Sequence, residues 1–206
     1  MEHKVNSVGD LHRSAVSLFN NMVVGTNPSS AAMMQQNLRE GIEALKNSWE
    51  GMDAGTQINN VVTVYNGIVG IKNLLASLSA ETSKIAADYR GIQIANGAKI
   101  EELVKIREQE AEPFMPEYTD TRDTVNITQA AVNGKNKIDA ANGAMDEFIA
   151  KVKTSFNEIM QNWVAGPSRN EAQQAFDDFM SKVPRYKQTL EEVSKSVTTA
   201  LQNYGM

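Results

Sequence analysis

Apolar residues recur along this chain at helical spacing, and the same spacing is written twice. Upstream of Trp49 they fall at Leu45, Ile42 and Leu38; upstream of Trp163 they fall at Ile159, Phe156 and Val152. Steps of four, three and four put each tryptophan and its predecessors on one stripe of a helix. Downstream of Trp49, Val61, Ile68, Leu75, Thr82 and Tyr89 form a ladder of seven-residue steps. Phe176, Val183, Leu190, Val197 and Tyr204 form the matching ladder downstream of Trp163. The first ladder starts 12 residues after its tryptophan and the second 13, because Val164-Ala165 stands opposite Glu50. Two copies of one helix-turn-helix unit are therefore expected.

Four helical regions follow from this pattern. The first runs from about Val5 to Trp49, broken at Gly25-Thr26-Asn27-Pro28, with Ser29 or Ser30 able to cap its restart. A loop over Gly51–Thr56 follows, with Asp53 as a potential cap. The second helix extends from about Gln57 past Tyr89, with Val64, Ile71, Leu78, Ile85 and Ile92 completing the seam begun by Val61. Such a rod, roughly 54 Å long at 1.5 Å per residue, has to lie against another helix. Ile100, Leu103, Val104 and Ile106 suggest a further turn or more of helix. Residues 108–123 contain Pro113 and Pro116 among acids, break every helical pattern and read as an acidic linker. The third helix starts near Thr124 or Asn126 and ends at Trp163. The fourth, capped by Ser168 or Asn170, carries Pro184, which is expected to kink it or weaken its first half. No strand pattern appears. The expected fold is all-α, two tandem antiparallel helical hairpins over 1–107 and 124–206 that form a four-helix-bundle-like assembly.

Composition narrows the function. With 206 residues, 41% of them hydrophobic, the chain has enough apolar material for a core. A net charge of −5 leaves no basic footprint for nucleic acid. Zero cysteines remove disulfides, thiolate metal sites and a cysteine nucleophile. The first twenty residues mix acids and bases without an apolar run, so no secretory signal peptide is expected there. The stretch 61–80 is the most membrane-like, but it holds Asn66, Lys72 and Asn73 and keeps a heptad, which favours a packed helix.

Two helices joined at Trp-x-Gly, with a tyrosine at the end of the second, resemble the WXG family of early-secreted-antigen-like proteins of type VII secretion systems. Trp49-Glu50-Gly51 carries the motif intact; Trp163-Val164-Ala165-Gly166 contains one residue more. The resemblance covers nearly the whole chain outside the linker. It implies antiparallel hairpins that pair into four-helix bundles, a role as a secreted substrate or co-secreted partner in a Gram-positive bacterium, and export without a classical signal peptide. The implied partners are the secretion machinery or another WXG- or LXG-type protein. Burying both seams within one chain would make the protein a monomer; hairpins that each seek a partner in another chain would make it a homodimer. The family's export signal, Tyr-x-x-x-Asp/Glu, is incomplete here. Gln93 stands where the acid belongs after Tyr89, and only Gly205 and Met206 follow Tyr204.

The candidate motif and partner-binding residues are Trp49, Gly51, Trp163 and Gly166. Each ring also has a structural reading as the closure of a bundle end, and each glycine as the residue that frees the turn. Tyr89 and Tyr204 read either as remnants of the export signal or as packing positions. His3 and His12 lack neighbouring carboxylates at ligand spacing, and no catalytic constellation stands out, so no enzyme, metal or cofactor is expected. Two other roles stay open: a cytoplasmic adaptor that escorts a toxin to the secretion channel, and a membrane-active toxin that inserts 61–80.

Overall fold

The computed structural model describes residues 3–120, 122 and 124–205. These residues form five α-helices and four very short strands, an all-α protein with two small strand pairs. Helix α1 (Val8–Leu18) is capped by Ser7, whose side chain accepts from the Asp10 amide. It widens into a π-helical turn over Phe19–Val23. After the break at Gly25–Ser30, helix α2 (Ala31–Ser48) restarts with Ser30 as its cap, the hydroxyl accepting from Met33 N at 3.2 Å and donating to Gly25 O at 2.6 Å. Strand β2 (Trp49–Glu50) leads through Gly51 directly into α3 (Met52–Ala95). The loop expected over Gly51–Thr56 is absent: Gly51 alone makes the turn, and helix begins at the next residue.

At 44 residues α3 is the longest element, about 66 Å at the usual rise. Its seam is buried from Val61 to Ile85, and buried Thr82 donates to Leu78 O at 2.6 Å, so its hydroxyl is satisfied within the helix. The seam ends sooner than expected, since Ile92 is 59% exposed. The helix also stops sooner. Gly97, at φ 91°, takes the left-handed position; its amide bonds Ile94 O and that of Ala98 bonds Gln93 O, which ends a helix in the Schellman manner. The apolar residues at 100–106 are therefore not helical. From Ala98 to Val125 the described chain has no helix or strand.

Strand β3 (Asn126–Ile127) precedes helix α4 (Ala131–Asn162), so α4 starts later than Thr124 or Asn126. Strand β4 (Trp163–Ala165) and helix α5 (Arg169–Asn203) complete the order. Ser168 occupies the cap position of α5 but makes no cap bond; its hydroxyl goes to the Glu81 carboxylate on α3. Helix α5 runs continuously through Pro184. Aromatic packing holds the helix around the proline: before it, Phe176 stacks on Phe156 at 4.0 Å and Phe179 meets Phe148 edge-on at 6.3 Å, and just after it Tyr186 lies 6.3 Å from Phe179.

Helices α2 and α4 run antiparallel, with Lys151 on Ser29 near one end and Gly134 against Gly41 near the other. Helices α3 and α5 are also antiparallel, since Ser168 lies at Glu81 and Tyr186 at Gly67. All five helices contribute to one continuous apolar core. At Gly67 a Cβ would lie 2.4 Å from the Tyr186 hydroxyl and 2.6 Å from its ring. Gly67→Ala is therefore expected to destabilise the protein by about 1–2 kcal/mol despite alanine's better helix propensity. In a Tyr186→Leu background the same change should become stabilising by up to about 1 kcal/mol. Urea unfolding of the four proteins checks the reversal of sign.

The connector after α3 turns back along that helix. From Ala98 to Thr119 its partly buried positions fall at Leu103, Ile106, Glu112, Met115 and Tyr118, every third residue apart from Gln109; Asp120, beyond them, is partly buried at the first tryptophan turn. The three-residue spacing is the period of an extended, polyproline-like chain. Glu112 does not merely solvate the linker. It pairs with Lys72 and accepts from buried Gln35, and Lys72 also donates to Gln35 Oε1 at 2.8 Å.

Candidate functional site

The two tryptophan turns lie at opposite ends of the long helices, and each is completed by residues from the other half of the chain. At the first turn, β2 pairs antiparallel with β3, Trp49 opposite Ile127 and Glu50 opposite Asn126. At the second, strand β1 (Lys4–Val5) pairs antiparallel with β4, placing Lys4 opposite Ala165 and Val5 opposite Trp163. The bonds that continue these pairs match: Thr128 N donates to Ser48 O, and Asn6 N donates to Asn162 O, both at 2.9 Å.

The tyrosines complete the symmetry. Tyr204 donates its hydroxyl to Val125 O at 2.9 Å, immediately before β3. Tyr89 donates to His3 O, immediately before β1. Each tyrosine therefore fastens the strand that closes the turn at its end of the molecule. Neither arrangement is simple packing: Tyr89 is half-buried and Tyr204 is 46% exposed. What both supply is a hydroxyl donor to a backbone carbonyl.

Both indole rings are inside. Trp163 is fully buried and Trp49 only 3% exposed. The Trp163 Nε1 donates to His3 Nδ1 at 3.4 Å, and Arg169 donates to Trp163 O at 2.6 Å and to Met160 O at 3.2 Å. The two glycines serve different needs. Gly51 adopts φ 109° and ψ 174°, a region open essentially to glycine alone. Gly166 lies outside the positive-φ region, but a Cβ there would fall 2.4 Å from His3 Nδ1 and 2.7 Å from Trp163 Nε1. One glycine is required by the backbone, the other by the ring it lies against.

The first tip carries a charge cluster that the sequence did not suggest. Asp120 accepts from the Gly51 amide at 2.9 Å and from Arg122 through both carboxylate oxygens, at 2.8 and 2.9 Å. Arg122 also pairs with Glu50. The Arg122 hydrogen bonds, followed by that of the Gly51 amide, hold the Asp120 carboxyl well below the usual range. At Glu112 burial pushes the pKa up, but the bonds from Lys72 and Gln35 and the nearby charges outweigh it and leave it lowered. Groups with lowered folded pKa values give stability that is complete above the ordinary carboxylate range. It is lost as pH falls through the folded values. Amide protection at Gly51 and Glu112 is expected to decline between about pH 5 and pH 2, ahead of global unfolding, and exchange followed by NMR checks this.

Outward from the same tip, Met52 (83% exposed), Val125 and Tyr204 present apolar surface. Among the described residues no group of three metal-ligating side chains comes together. One described helix, α3, is long and apolar enough to cross a membrane, and 56% of its most apolar window is buried inside the protein. No protein-family model matches this chain, and neither a curated protein nor a solved structure matches it.

Proposed function

We propose that this is a non-enzymatic recognition protein, two tandem WXG-like hairpins in one chain, over 1–107 and 124–206, joined by the 108–123 linker and folded together as a four-helix bundle. In this reading it is a substrate or co-secreted partner of a type VII secretion system. The observation that carries it is the reciprocal closure of the two tryptophan turns. Each Trp-bearing strand pairs with the strand that precedes the other half's first helix, so one chain makes internally the pairing that the resemblance implies for two. With both rings buried, recognition at the first tip falls to the exposed Met52, Val125 and Tyr204. The indoles act as internal wedges that hold the turns in shape.

A second reading, a cytoplasmic escort for a toxin, is favoured by one observation. The hydroxyls of Tyr89 and Tyr204 are engaged with backbone carbonyls and are not free for a receptor. Fractionation of a producing culture, with and without the secretion ATPase, separates the two. Export predicts tagged protein in the medium that disappears without the ATPase. Retention in the cytoplasm of both strains would overturn export in favour of the escort.

A further inference from the structure

Three asparagines of α3 hold the connector by its backbone. Asn59 donates to Tyr118 O at 2.8 Å and accepts from Tyr118 N at 2.7 Å. Asn66 does the same with Met115, at 2.9 and 2.8 Å, and Asn73 with Glu112, at 2.9 Å both ways. The asparagines are seven residues apart and their partners three. Seven helical residues rise about 10.5 Å, and three residues of extended chain cover about 9–10 Å. The two repeats therefore stay in register over three contacts and the two steps between them, with helix and connector running in opposite directions.

Connectivity does not force this contact. Residues 96–125 link the end of α3 to β3 near its start. About 20 extended residues at 3.3 Å would cover the helix, so the connector has slack and is seated by affinity. The seat also has side-chain subsites. The Glu112 carboxylate meets Lys72 and Gln35, Met115 packs against the core, and the Tyr118 ring lies 5.4 Å from the Lys46 ammonium. Between them Pro113, Phe114, Pro116 and Glu117 face outward. The two prolines have no amide to offer and fall only where none is needed.

We infer that the Asn59–Asn66–Asn73 face of α3 is a binding track for extended polypeptide, and that the connector is its resident, displaceable ligand. The track takes a segment with a carboxylate, an apolar residue and an aromatic at three-residue intervals, proline being accepted between them. Side-chain amides bonded to both backbone groups of one residue recognise main chain whatever the sequence; the subsites add the preference. Release of the strap would open the track to such a segment of a partner protein, whether or not the chain is exported.

The test uses the full chain with Glu112→Pro, Met115→Pro and Tyr118→Pro together. These changes remove the three amide donors from the strap and leave the track unaltered. A fluorescent peptide of residues 108–120 should bind this variant saturably, by anisotropy. It should bind the unaltered chain at least 100-fold more weakly, because the tethered strap competes at millimolar effective concentration. Adding Asn66→Asp, which keeps the shape but cannot donate, should weaken peptide binding about tenfold, and Asn→Ala at all three positions should abolish it. No binding to the strap variant, or binding indifferent to the asparagines, overturns the inference. Hydrogen exchange on the unaltered chain gives an independent check: the amides of 112, 115 and 118 should exchange at least 100-fold more slowly than those of 114 and 117. Equal rates would overturn it without any variant.

Discussion

Trp163→Ala is expected to cost about 3–5 kcal/mol, the range for emptying the site of a large, fully buried aromatic. The loss should not stay local to the ring. Trp163 belongs to the strand that receives β1, its Nε1 reaches His3, and Gly166 is shaped to its face. Removing the ring leaves a cavity beneath the strand pair and takes away a partner of the arm that precedes α1. The Asn6 amide, bonded to Asn162 O, should therefore exchange faster, while Thr128, at the far tip, should keep its protection up to the limit set by global stability. Urea unfolding gives the first number and exchange the second. A loss below about 1 kcal/mol would mean that the indole is not a wedge at all.

The two motif glycines make the second large prediction, because they should fail for different reasons. Gly51→Ala forces a side chain into a backbone region that costs about 1–3 kcal/mol for any L-residue. The added Cβ would also lie 3.3 Å from both Thr124 O and the Val125 side chain. Trimming Val125 to alanine should recover little, since the strain is in the backbone. Gly166→Ala is expected to cost a similar amount through contact with His3 and Trp163. There His3→Ala should recover a measurable part, because it removes the nearest obstructing atom. Unfolding of the two single and two double variants tests the distinction. Equal rescue at both positions, or at neither, would contradict it.

Much of the fold was legible because long helices announce themselves by period. The stripes ending at Trp49 and Trp163 and the seven-residue ladders, up to their terminal tyrosines, are buried where the apolar spacing puts them, and the break at Gly25–Ser30 falls where glycine and proline place it. The short strands were not legible. Two residues on each side cannot show an alternation, and their pairing depends on segments more than a hundred residues apart in one case and about 77 in the other. The connector's sequence is ambiguous for a specific reason. Ile100, Leu103 and Ile106 are three apart, a spacing shared by a helix face and by an extended three-residue repeat. Asn96-Gly97 just upstream was the signal that decided between them. The asparagine ladder was also written in the sequence. Asn59, Asn66 and Asn73 keep the heptad of α3 on a face outside its apolar seam, a regularity that solvent exposure alone does not call for. At the candidate site, the positions of the tryptophans and glycines were readable. That each turn is finished by the other half, and that Tyr89 and Tyr204 fasten the finishing strand, follows only from the tertiary pairing.

Reciprocal closure within one chain is most directly tested by cross-linking, and a chain with no cysteine offers a clean background. Directly opposed residues in an antiparallel pair lie about 4.5–5.5 Å apart at Cα, within disulfide range. Glu50→Cys with Asn126→Cys, and separately Lys4→Cys with Ala165→Cys, should each oxidise in dilute solution to an intramolecular disulfide of monomer mass. Disulfide-linked dimers instead, or thiols that stay free in both pairs, would contradict the closure on which this account of the molecule rests.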